Sequence, residues 1–197
     1  MAMIGLRYVV AAKLTAHTDG SEPTYGTSGS GIVAGGAINA NLTITRNTNE
    51  LYYDDVLGES DNSITSMQLE LGLDDLLEAT QEYLLGTVAK TSGSPTVTTY
   101  YDTSKAAPYV GIGYIRVRKK NGAVKYQAVW YFKVQFGLTA ENSTTKGESI
   151  QWQTPTITGK CAGLYVDSSG DASFRKKQVF DTEADAKAWL KGLANVT

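Results

Sequence analysis

The sequence contains one cysteine and one histidine in 197 residues. The single cysteine, Cys161, excludes a disulfide within the chain and a metal site built from several thiolates. His17 lies at the edge of a polar segment, which argues against a Ser-His-Asp triad and a two-histidine metal site. We therefore expect no catalytic residues, no metal and no cofactor.

Long apolar runs are also lacking. No run approaches the roughly 18 residues of a transmembrane helix. The sequence does not begin with the charged and then apolar segments of a secretion signal. These absences predict a soluble protein made in the cytosol, and the length fits a single domain spanning residues 1–197.

The motifs of nucleotide binding and acid–base chemistry are incomplete. Residues 26–36 (GTSGSGIVAGG) are rich in glycine but lack the Lys-Ser/Thr ending of a phosphate-binding loop. Asp54 and Asp55 are adjacent, and neighbours on a strand point to opposite faces, so they rarely share a proton. Asp74 and Asp75 fit the start of a helix, where negative charge is favoured.

Charge is strongly segregated along the chain. Residues 50–86 hold ten of the twenty acidic residues and no lysine or arginine, whereas residues 103–140 hold seven of the eighteen basic residues and no acid. Such segregation is typical of complementary surfaces, within one molecule or between copies. The alternative is two solvated faces that never meet.

Asn121-Gly122 predicts the turn of a long β-hairpin, because both residues accept the positive φ that a tight hairpin turn requires. The implied register defines an apolar face that pairs Val117 with Tyr126, Ile115 with Ala128, Gly113 with Trp130 and Gly111 with Phe132. The opposite face pairs Arg118 with Lys125, Arg116 with Gln127, Tyr114 with Val129 and Ile112 with Tyr131. Because like charges opposed across a hairpin repel, the second face requires an acidic partner.

The rest of the chain predicts a mainly β fold. Strands are expected at residues 5–14 (with Leu6, Tyr8 and Val10 on one face), 37–46, 51–57, 63–71, 96–101 and 148–160, with a last hairpin of 163–166 and 174–180. Helical spacing predicts one flanking amphipathic helix at 73–85 that ends at Gly86, and a short C-terminal helix capped by Thr182. Long loops are expected at residues 15–36, 87–95 and 137–147.

Six stretches together resemble the major tail proteins of long, non-contractile-tailed bacteriophages, of the type found in phages of Gram-positive hosts. They are residues 3–14 (MIGLRYVVAAKL), 51–61 (LYYDDVLGESD), 71–85 (LGLDDLLEATQEYLL), 107–135 (APYVGIGYIRVRKKNGAVKYQAVWYFKVQ), 145–159 (TKGESIQWQTPTITG) and 180–190 (FDTEADAKAWL). The resemblance spans nearly the whole chain, and residues 15–36 and 87–104 carry little of it.

The resemblance implies a tail tube fold, in which two β-sheets pack as a sandwich or partly closed barrel beside a flanking helix. It also implies a structural virion protein, made in the bacterial cytoplasm, whose copies form stacked, hexameric rings. Tape measure protein, other tail proteins and passing DNA would be the partners, the DNA contact being transient and non-specific. No membrane partner is implied.

The charge segregation and this resemblance lead to one hypothesis about the site. Contacts between head-to-tail copies are heterologous, so an acidic segment of one copy can meet a basic face of another. The hypothesis assigns the acidic side to Asp54, Asp55, Glu59 and Asp61, and the basic side to Arg116, Arg118 and Lys125.

Two other functional classes stay open from the sequence. One is a carbohydrate-binding β-sandwich that uses exposed tyrosine, tryptophan and asparagine side chains as a sugar platform. The other is an enzyme whose site has no recognisable motif.

Overall fold

The fold was analysed in a computed structural model, which describes residues 2–91, 97–100, 106–137, 145 and 154–197. These residues are mainly in β-strands. The elements in chain order are β1 (Ala2–Ala16), β2 (Thr24–Tyr25), β3 (Ile32–Gly35), β4 (Ala37–Arg46), β5 (Asn49–Tyr53), β6 (Val56–Asp61), β7 (Ile64–Leu73), α1 (Glu78–Leu85), β8 (Val88–Thr91), β9 (Val97–Tyr100), β10 (Tyr109–Lys120), β11 (Ala123–Gly137), β12 (Thr156–Ala162), β13 (Arg175–Phe180) and α2 (Glu183–Ala194).

One antiparallel sheet organises the chain. It has nine strands in the order β2-β1-β10-β11-β12-β7-β4, with β3 also pairing with β1 and β13 with β11. β3 and β4 are separated only by Gly36, so the chain leaves β1 and crosses directly to β7. The sheet thus curls around a core without closing into a barrel, and the fold is mainly β and sandwich-like, as predicted.

The first core lies inside the curl of the sheet. Its buried side chains come from six of the strands around it and from α1. Tyr114, Tyr131 and Phe136 are its largest members. Leu84 of α1 is fully buried there, so this short helix covers the core with its apolar side, as the sequence predicts for the flanking helix.

The second core lies on the opposite face of β10 and β11, under α2. Ala186, Leu190 and Ala194 recur at helical spacing and pack against Trp130. Thr182 caps the helix by accepting a hydrogen bond from the Asp185 amide at 3.1 Å. The predicted C-terminal helix and its cap are confirmed.

The predicted central hairpin is confirmed through most of its length. Asn121 and Gly122 have φ angles of 50° and 80°, and Lys120 pairs with Ala123. The register holds as far as Ile112 and Tyr131. A β-bulge after Ile112 then separates Gly111 from Phe132, and the predicted pairing of those two residues is wrong. The ring of Trp130 instead covers both glycines: a Cβ at Gly111 would lie 2.4 Å from it and one at Gly113 2.6 Å.

β1 also departs from simple alternation. Tyr8 has a φ of 56°, and the pairing with β10 shifts register between Arg7 and Val10. The extra residue reverses the inward and outward sense of the strand. Leu6 therefore packs against the first core, whereas Tyr8 and Val10 belong to the second, so the single face predicted for the three is wrong.

Several predicted boundaries differ from the structure. The helix expected at residues 73–85 begins at Glu78, because Leu73 still belongs to β7. Asp74 and Asp75, which were expected to start it, therefore lie before the helix, and Asp74 accepts a hydrogen bond from the Gly36 amide at 2.7 Å. The loop expected at 15–36 contains β2 and β3, which pair with β1. The last hairpin reduces to one bridge between Leu164 and Ser173, because β13 pairs with β11.

Two other expected loops and one strand are described only in part. Residues 88–91 of the loop expected at 87–95 form β8, and 92–95 lie outside the described residues. Of the loop expected at 137–147, residue 137 ends β11, and only residue 145 is otherwise described. The strand expected at 148–160 is described from residue 154 onward and begins as β12 at Thr156.

Candidate subunit interface

β5 and β6 form a two-stranded arm that continues the β4–β7 hairpin beyond the main sheet. Asn47 donates its amide to Ser63 O at 2.7 Å where the main sheet ends. Among the described strands, the arm then pairs only with itself, as a separate sheet. Five residues of β5 extend it by about 17 Å. The single strand predicted at residues 51–57 is therefore a hairpin.

The turn of the arm falls on Asp54 and Asp55. Their φ angles are 50° and 60°, the left-handed values that a tight hairpin turn requires. Aspartate tolerates this conformation better than most residues because its short polar side chain can bond locally. Both carboxylates are exposed at the tip.

The arm exposes apolar side chains along its whole length. Leu51, Tyr53 and Val56 are 60%, 62% and 61% exposed, and Tyr52 and Leu57 are also largely exposed. An isolated two-stranded hairpin is marginally stable in water. Contiguous exposed apolar residues of this kind mark interaction sites. The arm therefore has the properties of a segment that is completed by another molecule.

The four acidic residues of the hypothesis have different surroundings on the arm. Among the described residues, Asp54, Asp55 and Glu59 form no ion pair. Asp61, at the base, accepts hydrogen bonds from the Ser63 amide at 2.9 Å and from Asn47 Nδ2 at 2.6 Å. These bonds hold the pKa of Asp61 below its ordinary value. Asp61 thus joins the arm to the sheet, and the other three carboxylates are available to a partner.

The basic side of the hypothesis lies on the four-stranded part of the sheet formed by β1, β10, β11 and β13. Arg116 pairs with Gln127, which pairs with Val179, so these side chains share one face. Arg118, Arg175 and Lys177 lie on that face by the same register. We call Arg116, Arg118, Arg175 and Lys177 the cationic cluster.

Two buried tyrosines hold part of this cluster in place. Arg116 Nη2 donates to Tyr114 Oη at 2.7 Å, and Arg175 Nη1 donates to Tyr131 Oη at 3.5 Å. The two phenol oxygens are 3.0 Å apart and share a hydrogen bond. Both tyrosine side chains are fully buried, and burial raises the pKa of Tyr114. The guanidinium groups are thus positioned by rings that belong to the first core.

The members of the cluster repel one another. The charge of Arg175, together with partial burial and the charges of Arg116 and Arg118, lowers the pKa of Lys177. No member of the cluster forms an ion pair with any described acid. Lys125, the third predicted cation, is different, because it forms an ion pair with Asp181 of its own chain.

Sequence reasoning missed Arg175 and Lys177. Both lie on β13, about fifty residues beyond the hairpin, and they join the cluster only because β13 pairs with β11. The sequence Arg175-Lys176-Lys177 was a visible signal. It could not be assigned to this face without the strand partner.

His17 and Cys161, which were considered for catalysis, both contact or pack against other parts of the fold. Nε2 of His17 lies 3.2 Å from the carbonyl oxygen of Tyr165. Cys161 is buried, and burial raises the pKa of its thiol to about 11. A search of the described residues finds no group of side chains arranged to hold a metal ion. Neither helix in that part of the chain is long and apolar enough to cross a membrane.

The chain matches no protein-family model, and a search of curated proteins returns no match.

Proposed function

We propose that this protein is a structural subunit that assembles with copies of itself into rings and tubes, as the resemblance to phage tail tube proteins implies. The arm carries the proposal. Its exposed Leu51, Tyr53 and Val56 have no core of their own to enter, and burying them against another copy would remove a large apolar surface from water.

Two sheet edges support lateral association. The part of β1 before Tyr8 pairs only with β10, and β13 pairs only with β11, among the described strands. Met3 and Ile4 on the first edge are 63% and 58% exposed, and Val179 on the second is 50% exposed. Joining the edge of one copy to the opposite edge of the next would satisfy both, because unpaired strand edges bind other strands.

Charge supports a defined contact for the arm. We propose that Asp54, Asp55 and Glu59 of one copy meet the cationic cluster of another, laterally or between rings. This contact differs from the one expected from the sequence in two respects. Arg175 and Lys177 take the place of Lys125 on the basic side, and Asp61 is left out because it binds Asn47 and Ser63 of its own chain. A heterologous contact of this kind repeats without closing on a single pair, which suits a ring or a stack.

The wider role follows from the resemblance and is part of the proposal. The protein would form the tube of a virion tail, with tape measure protein and other tail proteins as partners and DNA passing through the lumen. The proposal assigns no catalytic activity, cofactor or metal.

Electron microscopy of the concentrated protein tests assembly. Rings or tubes roughly a hundred ångströms across are expected if six domains of this size surround a channel. Monomers at every concentration would refute the proposal. Glycan binding by such monomers would favour a carbohydrate-binding module instead.

A variant of the arm tests the contact itself. The double substitution Asp54→Asn and Asp55→Gly removes both charges and introduces Asn-Gly, the strongest sequence signal for this turn. We expect a folded monomer that assembles poorly. The control, Glu78→Gln with Glu82→Gln on α1, removes the same charge elsewhere and should assemble like the original protein. Normal tubes from the arm variant would exclude the charge contact.

A further inference from the structure

The cationic cluster is an unusual feature of a free chain. Arg116, Arg118, Arg175 and Lys177 lie on one face of β10 and β13, and the charge of Arg175, together with partial burial and the charges of Arg116 and Arg118, lowers the pKa of Lys177. Like charges that share one face repel each other unless an anion lies between them. The described part of the chain supplies no acid for this purpose.

The geometry of the cluster suits an oxyanion. A guanidinium group has five N–H donors in a planar fork, and the bonds to Tyr114 and Tyr131 use one donor from Arg116 and one from Arg175. Those bonds fix the forks without neutralising them. Arginine forks match the oxygen spacing of phosphate, and bonds between charged groups are the stronger kind.

We propose that the cationic cluster is a binding site for a phosphate-type oxyanion. The bound anion would accept hydrogen bonds from Arg116, Arg175 and Lys177 and relieve the repulsion among them. A nucleic-acid strand fits less well, because it needs basic residues that continue beyond the cluster. Of the further cations that the register places on this face, Lys125 is already paired with Asp181, and Lys120 adds only one charge at the end of the hairpin.

Binding of this anion does not depend on the proposed assembly, since it can be measured on dilute monomer. Inorganic phosphate is titrated into the protein at constant ionic strength, with chloride as the balancing anion, while the arginine and amide signals are followed by NMR. We expect signals of Arg116, Arg175 and Lys177 to shift and saturate with phosphate. Chloride alone should not produce this change.

The variant Lys177→Gln tests the site. The side chain of Lys177 is exposed and, among the described residues, forms no hydrogen bond that the fold needs. Losing one charged hydrogen bond should weaken phosphate binding about tenfold. Arg118→Gln should weaken it less, because Arg118 contributes charge from farther along the strand. Lys191→Gln, on the helix that covers the opposite face, is the matched control and should bind phosphate normally.

Three outcomes would overturn the inference. Shifts that grow linearly without saturating, or that chloride reproduces, would show general screening of the charges. If Lys177→Gln leaves phosphate binding unchanged, the anion binds elsewhere. The same conclusion follows if Lys191→Gln weakens phosphate binding as much as Lys177→Gln does. Circular dichroism of each variant establishes that the fold is intact before binding is compared.

Discussion

Replacing Gly113 with alanine tests the packing of β10 against α2. A Cβ at this position would lie 2.6 Å from Cε3 of Trp130, 2.7 Å from Cδ2 of Leu190 and 2.9 Å from the carbonyl oxygen of Val129. The leucine methyl can rotate away. The fully buried indole ring and the backbone oxygen cannot move without disturbing the second core.

The expected cost follows from this overpacking. Inserting one methyl group into a well-packed core costs about 1–3 kcal/mol. Because 1 kcal/mol corresponds to about 2–4 °C for a protein of this size, a cost near 2 kcal/mol predicts a Tm lower by about 4–8 °C. Gly113 does not have a positive φ, so the alanine brings no backbone strain and the loss comes from packing alone.

Gly5→Ala on β1 is the matched control. Its Cβ would meet nothing closer than Cγ2 of Val117 at 3.8 Å, an ordinary contact. Alanine then restricts the unfolded chain and should leave the Tm unchanged or slightly higher. Thermal unfolding of both variants is followed by circular dichroism in parallel. If Gly113→Ala unfolds at the same temperature as Gly5→Ala, the indole ring does not lie against β10 as described.

Two further predictions concern buried groups. Tyr25→Phe removes a hydroxyl that donates to Phe132 O at 2.7 Å and accepts from Trp130 Nε1 at 3.1 Å. Denaturant unfolding should therefore show a free energy of unfolding lower by about 1–3 kcal/mol. The control Tyr165→Phe, at an exposed site, should lower it hardly at all. Burial raises the pKa of the Cys161 thiol from 9.0 to about 11. At pH 8 the thiol should therefore react with iodoacetamide about a hundredfold more slowly in the native protein than in urea. Similar rates in both states would contradict its burial. The pKa of the Cys161 thiol is higher in the folded protein than in the unfolded chain. The stability that the protonated thiol contributes is therefore complete below pH 9 and is lost as the pH rises toward about 11.

The central hairpin was predictable because its turn chemistry is local. Asn121-Gly122 accepts positive φ, and alternation then assigns each side chain to a face as far as Ile112 and Tyr131. The arm was not predictable in the same way. Asp54 and Asp55 form a turn of the same handedness, but aspartate also favours helix starts, so the signal is ambiguous. The helix start assigned to Asp74 and Asp75 on this basis is wrong, because α1 begins at Glu78.

The remaining differences arise from long-range pairing and local strain. Nothing in the sequence near Arg175 shows that β13 will pair with β11, so two members of the cationic cluster could not be assigned. The bulge at Tyr8 reverses the faces of β1, and tyrosine gives no warning of a positive φ. Alternation predicts a face only while the register is unbroken.

The two sides of the proposed contact differ in rigidity. Because of this difference, the arm variant can separate the effect of the carboxylates from the effect of the shape of the arm. Arg116 and Arg175 of the cationic cluster are held by rings of the first core, whereas the arm is exposed on both faces, so most of the ordering cost of association falls on the arm. Replacing Asp54-Asp55 with Asn-Gly makes the turn more stable and therefore lowers that cost. If apolar burial alone drove assembly, this variant would assemble at least as well as the original protein. Loss of assembly despite the better turn would show that the carboxylates, and not the shape of the arm, determine where it binds.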